Sequence, residues 1–178
     1  INNYYSSIVE MDAVVAGFLL TMFESAPNER TLNRIPGIAV RNTLTKEIEK
    51  VINFEELLKN LKKNNNRYYE IIALHYNLYR AYKNPGDSST YYKCRDFLFS
   101  NYKLYTERQL FSLFNDVESC IGRLKEQNHE YNEEFGKLYR FMFDKEIFSP
   151  TAEEYIPLVL FRNVLINSSI SMIEWTDN

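Results

Sequence analysis

The sequence predicts an all-α fold, and three observations carry that prediction. Glycine and proline are scarce, five of each in 178 residues, whereas a sandwich or barrel of many strands needs a turn signal about every ten residues. Charged residues, 25 % of the chain, are spread through long segments of Glu, Lys, Leu, Asn and Tyr. Along those segments apolar residues return at three- and four-residue steps, which is the period of a helix face. Hydrophobic residues make up 45 % of the composition, enough for a continuous core in one domain or a short array of repeats.

The elements follow in order. From Tyr4 to about Glu24, the residues Ile8, Met11, Val15, Leu19, Met22 and Phe23 mark one face of a first helix. The run SAPNERTLNRIPG interrupts it, with Pro27 and Pro36-Gly37 as punctuation, so a loop or short turn is expected there. Residues 1–42 therefore read as an N-terminal entry and capping segment, and residues 43–178 as a helical-repeat domain truncated at its C-terminus. A helix from about Thr45 to Lys63 carries Ile48, Ile52, Leu57, Leu58 and Leu61. Asn64-Asn65-Asn66 breaks it, and a tyrosine-rich helix runs on to Asn84. NPGDSS (84–89) is a turn that supplies its own capping residues, and TYYKCRDFLFSNYKLY follows to residue 105. Thr106 and Gln109 spell a capping box, in which each side chain satisfies an orphan amide of the other. The helix they open carries Leu110, Leu113, Phe114, Val117, Ile121 and Leu124. QNHEYN (127–132) is a further break, EEFGKLYRFMFDKEIF a further helix, and Thr151 with Glu154 a second capping-box spelling. Pro157 then either kinks the last helix or marks its start.

Set side by side, the helix starts repeat. First helices of a pair begin near residues 45, 88, 131 and 171, and second helices near 66, 106 and 151, a period of about 40. Leu57, Leu98 and Leu138 fall at equivalent places, as do Ile71, Leu113 and Leu158. A two-helix unit cannot bury its own apolar face, so its neighbours cover it, and stacked antiparallel pairs form an α-solenoid.

Candidate chemistry is sparse. The stretch NRYYEIIALHYNLYRAYKN (66–84) has the composition of a stacking platform, yet Tyr68, Ile72, Tyr76, Tyr79 and Tyr82 share one helix face, widened by Ile71, Leu74 and Leu78, with His75 at its margin. A platform needs exposed rings beside an electrostatic track; these rings occupy core positions, with their hydroxyls expected at the rim. The acid pairs Glu55-Glu56, Glu133-Glu134 and Glu153-Glu154 sit near helix starts, where the macrodipole favours negative charge, and are expected to be solvated. Neither His75 nor His129 has a Glu or His at metal-ligand spacing on a shared helix face, and His129 falls in a turn. No phosphate-binding glycine loop and no nucleophile elbow is present, so no catalytic, cofactor or metal site is expected. LLKNLKKNNNR (57–67) is the one basic cluster, with Lys59, Lys62, Lys63 and Arg67, and is either a solvated helix end or a partner-docking patch.

Net charge is −3 and the pI about 5.5, without the basic footprint of a protein that lives on phosphate backbones. Cys94 and Cys120 have no CxxC companion and read as buried free thiols of a reducing, cytoplasmic compartment. The most apolar run, AVVAGFLLTMF (13–23), falls short of the about 20 residues a membrane span needs, and no basic n-region precedes it. A start at Ile1 and an end at Trp175-Thr176-Asp177-Asn178 read as a piece of a longer protein. A truncated last helix would expose Ile170, Ile173 and Trp175 and favour self-association.

Over about residues 90–178, EFGKLYRFMFDKEIF and YIPLVLFRNVLINSSISMIEW resemble helical-repeat segments of large uncharacterised bacterial proteins of the tetratricopeptide-like (TPR-like) superfamily. The matching pieces are the exit Lys145-Glu146-Ile147-Phe148, the Phe161-Arg162-Asn163 core and Trp175. The resemblance implies a short right-handed α-solenoid whose first helices line a concave face, with Lys59, Lys93, Lys137 and Arg140 at contact positions. It implies a non-enzymatic scaffold for another protein or peptide. An RNA-binding helical-repeat module of pentatricopeptide type is the alternative, disfavoured by the net charge, and a helical accessory domain of an enzyme is the third reading.

Overall fold

The computed structural model describes residues 2–33, 36–127, 131–147 and 158–168. Among them the chain is all helical, with no strand: α1 (Asn2–Asn33), α2 (Thr43–Val51), α3 (Phe54–Lys63), α4 (Tyr69–Lys83), α5 (Ser88–Asn101), a 3-10 turn at Tyr102–Leu104, α6 (Glu107–Gln127), α7 (Asn132–Asp144) and α8 (Leu158–Ser168). Among the described residues no helix is long and apolar enough to cross a membrane. Pro157, Trp175, His129, Glu153-Glu154, the capping box at Thr151 and the apolar face at Ile170 and Ile173 lie outside the described residues. The contacts group the chain into two compact units, Ile1–Tyr79 and Arg80–Asn178.

In the first unit α1 departs from expectation by continuing through Pro27 to Asn33. A proline in a helix removes one amide donor. In the turn before it, the Ser25 hydroxyl donates to the Met22 carbonyl at 2.7 Å, capping a carbonyl from within the helix. Ala16, Leu19, Met22 and Phe23 are buried. The Phe23 ring lies 5.4–5.6 Å from those of Phe54, Tyr76 and Tyr79, so α1, α3 and α4 share one aromatic cluster. Such pairs add about 0.5–1.5 kcal/mol each beyond the area they bury. Met11 and Val15, expected on the inward face, are instead exposed.

The single helix expected over residues 45–63 is two. Ile52 and Asn53 leave the helical region (ψ 122° and 92°), and the Asn53 side chain accepts the Glu56 amide at 3.1 Å. Asn53 is thus an N-cap, with Glu55 and Glu56 in the first turn where the helix dipole favours acid. α3 closes with a Schellman motif: Asn66 N–H donates to the Leu61 carbonyl and Asn65 N–H to that of Lys62, with Asn65 in the left-handed region at φ 49°.

The second unit is built around α6, whose Leu110, Leu113, Phe114, Val117, Cys120, Ile121 and Leu124 are all buried. Burying each larger apolar side chain contributes about 1.5–3 kcal/mol relative to exposure, and α6 presents six of them along one stripe besides Cys120. α5 and α7 pack on it with Tyr91, Leu98, Leu138 and Tyr139, and α8 packs on α7. Phe99 and Phe141 stack at 4.1 Å with ring planes 5° apart. The start of α6 is the expected capping box, Thr106 N–H donating to Gln109 Oε1 at 2.9 Å and Gln109 N–H to Thr106 Oγ1 at 3.3 Å. α5 starts on Asp87, which accepts from the Ser89 amide and from the Ser89 and Thr90 hydroxyls.

α7 ends in a second Schellman motif, with Ile147 N–H on the Met142 carbonyl and Glu146 N–H on that of Phe143. Here the left-handed position, φ 55°, is filled by Glu146, an exposed residue with a Cβ. Ile147 is buried behind it and holds the exit in place. Replacing Glu146 with Gly is expected to stabilise the protein by about 1 kcal/mol, because glycine adopts this conformation without the Cβ penalty. Thermal unfolding followed by circular dichroism checks this; a lowered melting temperature would mean the Glu146 side chain contributes more than its strain removes.

Candidate partner-binding surface

Lys59, Lys62 and Lys63 are exposed on the last two turns of α3, and Arg67 follows in the turn to α4. The spacings 59–62 and 59–63 place these ammonium groups on one side of the helix. The Schellman motif and the hydrogen bond from the Tyr68 amide to Asn66 Oδ1 (2.9 Å) fix the chain between them. The Arg67 guanidinium stands 4.6 Å from the centre of the Tyr68 ring and donates to its hydroxyl at 2.5 Å. The Lys62 ammonium lies 5.8 Å from the centre of the Tyr69 ring.

The other expected contact residues belong to the second unit. Lys93 is exposed on α5, and Lys137 and Arg140 are exposed on α7. Lys137 is engaged, donating to Glu134 Oε1 at 2.8 Å. Glu134, expected to be a solvated helix-start acid, is 5 % exposed. Its other oxygen takes hydrogen bonds from Arg95 and from the Tyr91 hydroxyl, so α5 and α7 are joined through one carboxylate. Arg95 also forks onto Asp96 and lies 4.9 Å from the centre of the Tyr92 ring. Burial pushes the Glu134 carboxyl up, but the hydrogen bonds and charges of Lys137 and Arg95 outweigh it and hold the carboxyl below its ordinary value.

A second, half-buried carboxylate was not singled out from the sequence. Glu118 on α6 accepts from the Tyr139 hydroxyl of α7 at 3.0 Å and from Asn163 Nδ2 of α8 at 2.8 Å. Burial dominates here and pushes its pKa up despite those bonds and the nearby Arg162 charge. Asn163 lies in the Phe161-Arg162-Asn163 piece, and the sequence signal for Glu118 would have been an acid within an otherwise apolar stripe of α6.

The tyrosine helix is packing. Ile71, Ile72, Leu74, Leu78, Tyr79 and Tyr82 are buried, and Tyr68 and Tyr76 partly so. The hydroxyls sit at the rim as expected, Tyr76 donating to Glu55 at 3.3 Å and Tyr79 to Glu49. His75 is not marginal but 2 % exposed, and a Glu24 carboxylate oxygen from α1 comes within 4.8 Å of a ring nitrogen. Fifty-one positions of sequence separate those two, so spacing alone could not pair them. Cys94 and Cys120 are buried free thiols. Burial pushes the Cys94 thiol up to about 12 and that of Cys120 well above its ordinary value, so both are unreactive at neutral pH.

These two carboxylates, Glu134 buried and Glu118 half-buried, are expected to respond oppositely to acid. For Glu134, lowered in the fold, the stabilisation is present above its unfolded pKa and lost as pH falls through its folded one. For Glu118, raised in the fold, stability falls as pH rises from the unfolded to the folded pKa, so the ionised form is a burden at neutrality. Glu134→Ala is therefore expected to cost about 3 kcal/mol at neutral pH, since it leaves Arg95 partly buried without this partner. Glu118→Gln, which retains an acceptor for Tyr139, is expected to hold or raise the melting temperature. Parallel melts of both variants from neutral to acidic pH check the pair; destabilisation by Glu118→Gln would show that its charge is needed.

Comparison with protein-family models, with curated proteins and with solved structures finds no match for this chain.

Proposed function

We propose that the chain is a non-enzymatic helical scaffold for protein–protein interaction, its antiparallel helix pairs stacked as a TPR-like solenoid with a period of about 40 residues. The pairs α5–α6 and α7–α8 support the repeat. α5 starts at Ser88 and α7 at Asn132, and Leu98 and Leu138, which the sequence sets about one period apart, are both fully buried, while Leu57 of the same set is half-buried. The shifted groups support a non-catalytic reading, because burial raises Glu118, Tyr79 and Tyr91 while hydrogen bonds and charges of Lys137 and Arg95 lower Glu134, all of them at contacts that join helices. Perturbed titration at structural ion pairs and buried tyrosines does not require catalysis.

The observation that carries the binding reading is on α1. Met11, Val14, Val15 and Phe18, at the helical spacing i, i+3, i+4, i+7, are 47–67 % exposed. Four large apolar side chains along one stripe form the kind of surface that folded proteins keep for partners. The flanking exposed acids Glu10 and Asp12 supply a polar rim.

The test is selection of random peptides on the immobilised chain at physiological salt, repeated with Val14→Glu/Phe18→Glu. Both positions face solvent, so the variant is expected to fold with an unchanged helical spectrum. Peptides with apolar anchors are expected to be enriched and to bind the variant at least about tenfold more weakly. Absence of enrichment, together with single-stranded RNA binding that collapses between about 50 and 200 mM salt, would replace the scaffold with the nucleic-acid reading.

A further inference from the structure

We infer that the corner where α3 meets α4 is a docking site for an acidic peptide segment of a partner protein, held by Lys59, Lys62, Lys63 and Arg67. The inference rests on the scaffold reading and gives it a second surface and a partner chemistry. Residues 57–69 hold four basic side chains and no acidic one in a chain of net charge −3, so the rest of the molecule is net negative. The positive charge is therefore local. Lys59 and Lys63 stand one helical turn apart, a like-charge pair that destabilises an isolated helix. Among the described residues no carboxylate lies within ion-pair distance of Lys59, Lys62 or Lys63. The helix C-terminus offsets part of this repulsion, and an incoming run of carboxylates would offset the rest.

The choice between an acidic peptide and a nucleic acid turns on the two rings beside the patch. Base stacking needs an aromatic face open to the ligand. One face of Tyr68 carries the Arg67 guanidinium and Tyr69 has the Lys62 ammonium beside it, and both rings are already partly buried. What remains for a ligand is a row of ammonium groups flanked by the exposed amides of Asn60, Asn64 and Asn65. Those groups suit side-chain carboxylates and the backbone of an extended peptide. The Schellman bonds and the left-handed Asn65 fix the backbone that carries Asn64 and Asn65, so their positions along the chain are set before the ligand arrives.

The experiment is fluorescence anisotropy of the full chain with a short fluorescein-labelled Glu-Gly repeat peptide, its Gln-Gly counterpart, and a mixed-sequence single-stranded RNA. The Glu-Gly peptide is expected to bind, the Gln-Gly peptide not to. Affinity should fall about tenfold in Lys59→Gln/Lys62→Gln/Lys63→Gln, whose positions are all exposed, and stay unchanged in Arg108→Gln, an exposed basic position on α6. Three outcomes overturn the proposal: no discrimination between the two peptides, binding indifferent to the triple substitution, or RNA bound more tightly than the acidic peptide at the same salt. Sedimentation separates one further occupant. Low-salt self-association of the free chain that the triple substitution abolishes would assign the corner to a second copy and overturn the peptide. If the acidic peptide fails while α1-dependent peptides still bind, the scaffold reading stands and this inference falls alone.

Discussion

A tyrosine hydroxyl taken out of water needs an acceptor, and this core is organised by that requirement. Phenol–carboxylate bonds link helices among the described residues: Tyr76 to Glu55 and Tyr79 to Glu49 in the first unit, Tyr91 to Glu134 and Tyr139 to Glu118 in the second. An unmade bond at any of the last three would leave a desolvated polar group, a penalty of about 1–3 kcal/mol, whereas the Tyr76–Glu55 bond is exposed. With 14 tyrosines in the chain the aromatic payload is large, and the glutamates that receive their hydroxyls specify which helix faces which. Leucines in the same places would bury area without choosing a partner.

Glu134 and Glu118 show how one chemistry is tuned by its neighbours. Glu134 has Arg95 and Lys137 beside it and stays charged comfortably. Glu118 has neutral donors within bonding distance, a phenol and an amide, and only the more distant charge of Arg162. Its carboxylate ties α6 to both α7 and α8 at the expense of easy ionisation. Carboxylates used in this way are withdrawn from the surface. In the first unit, residues 57–69 carry four basic side chains and no acid, and among the described residues no carboxylate lies within ion-pair distance of the three lysines at the end of α3.

Local signals in the sequence translate well where the physics is local. The capping box at Thr106 and Gln109, the Asp87 turn and the break at Asn64-Asn65-Asn66 all form as read, because each needs only residues within a few positions. The exit Lys145-Glu146-Ile147 is a Schellman motif, with a buried isoleucine after a left-handed residue. Asn53 carried the same kind of signal, an asparagine followed by Glu55 and Glu56, and the apolar period running through it concealed a helix start. Pro27 misled in the other direction. A proline marks a helix end on average, yet α1 continues through Pro27, with the turn before it anchored by Phe23 in the aromatic cluster.

By itself the sequence determined the helical class, the main breaks, the inward face of the tyrosine helix and the placement of lysines at the end of α3. These follow from backbone propensity, periodicity and the dipole, which act over one or two turns. Only the tertiary structure decided which acids are buried, that His75 meets Glu24, and that Met11, Val14, Val15 and Phe18 face outward. A helix such as α1 is apolar around most of its circumference over residues 11–23, so its own pattern cannot say which side the core will cover. A carboxylate has no intrinsic address either. Its burial depends on donors brought from 21 to 45 residues away, a distance at which only the fold makes neighbours.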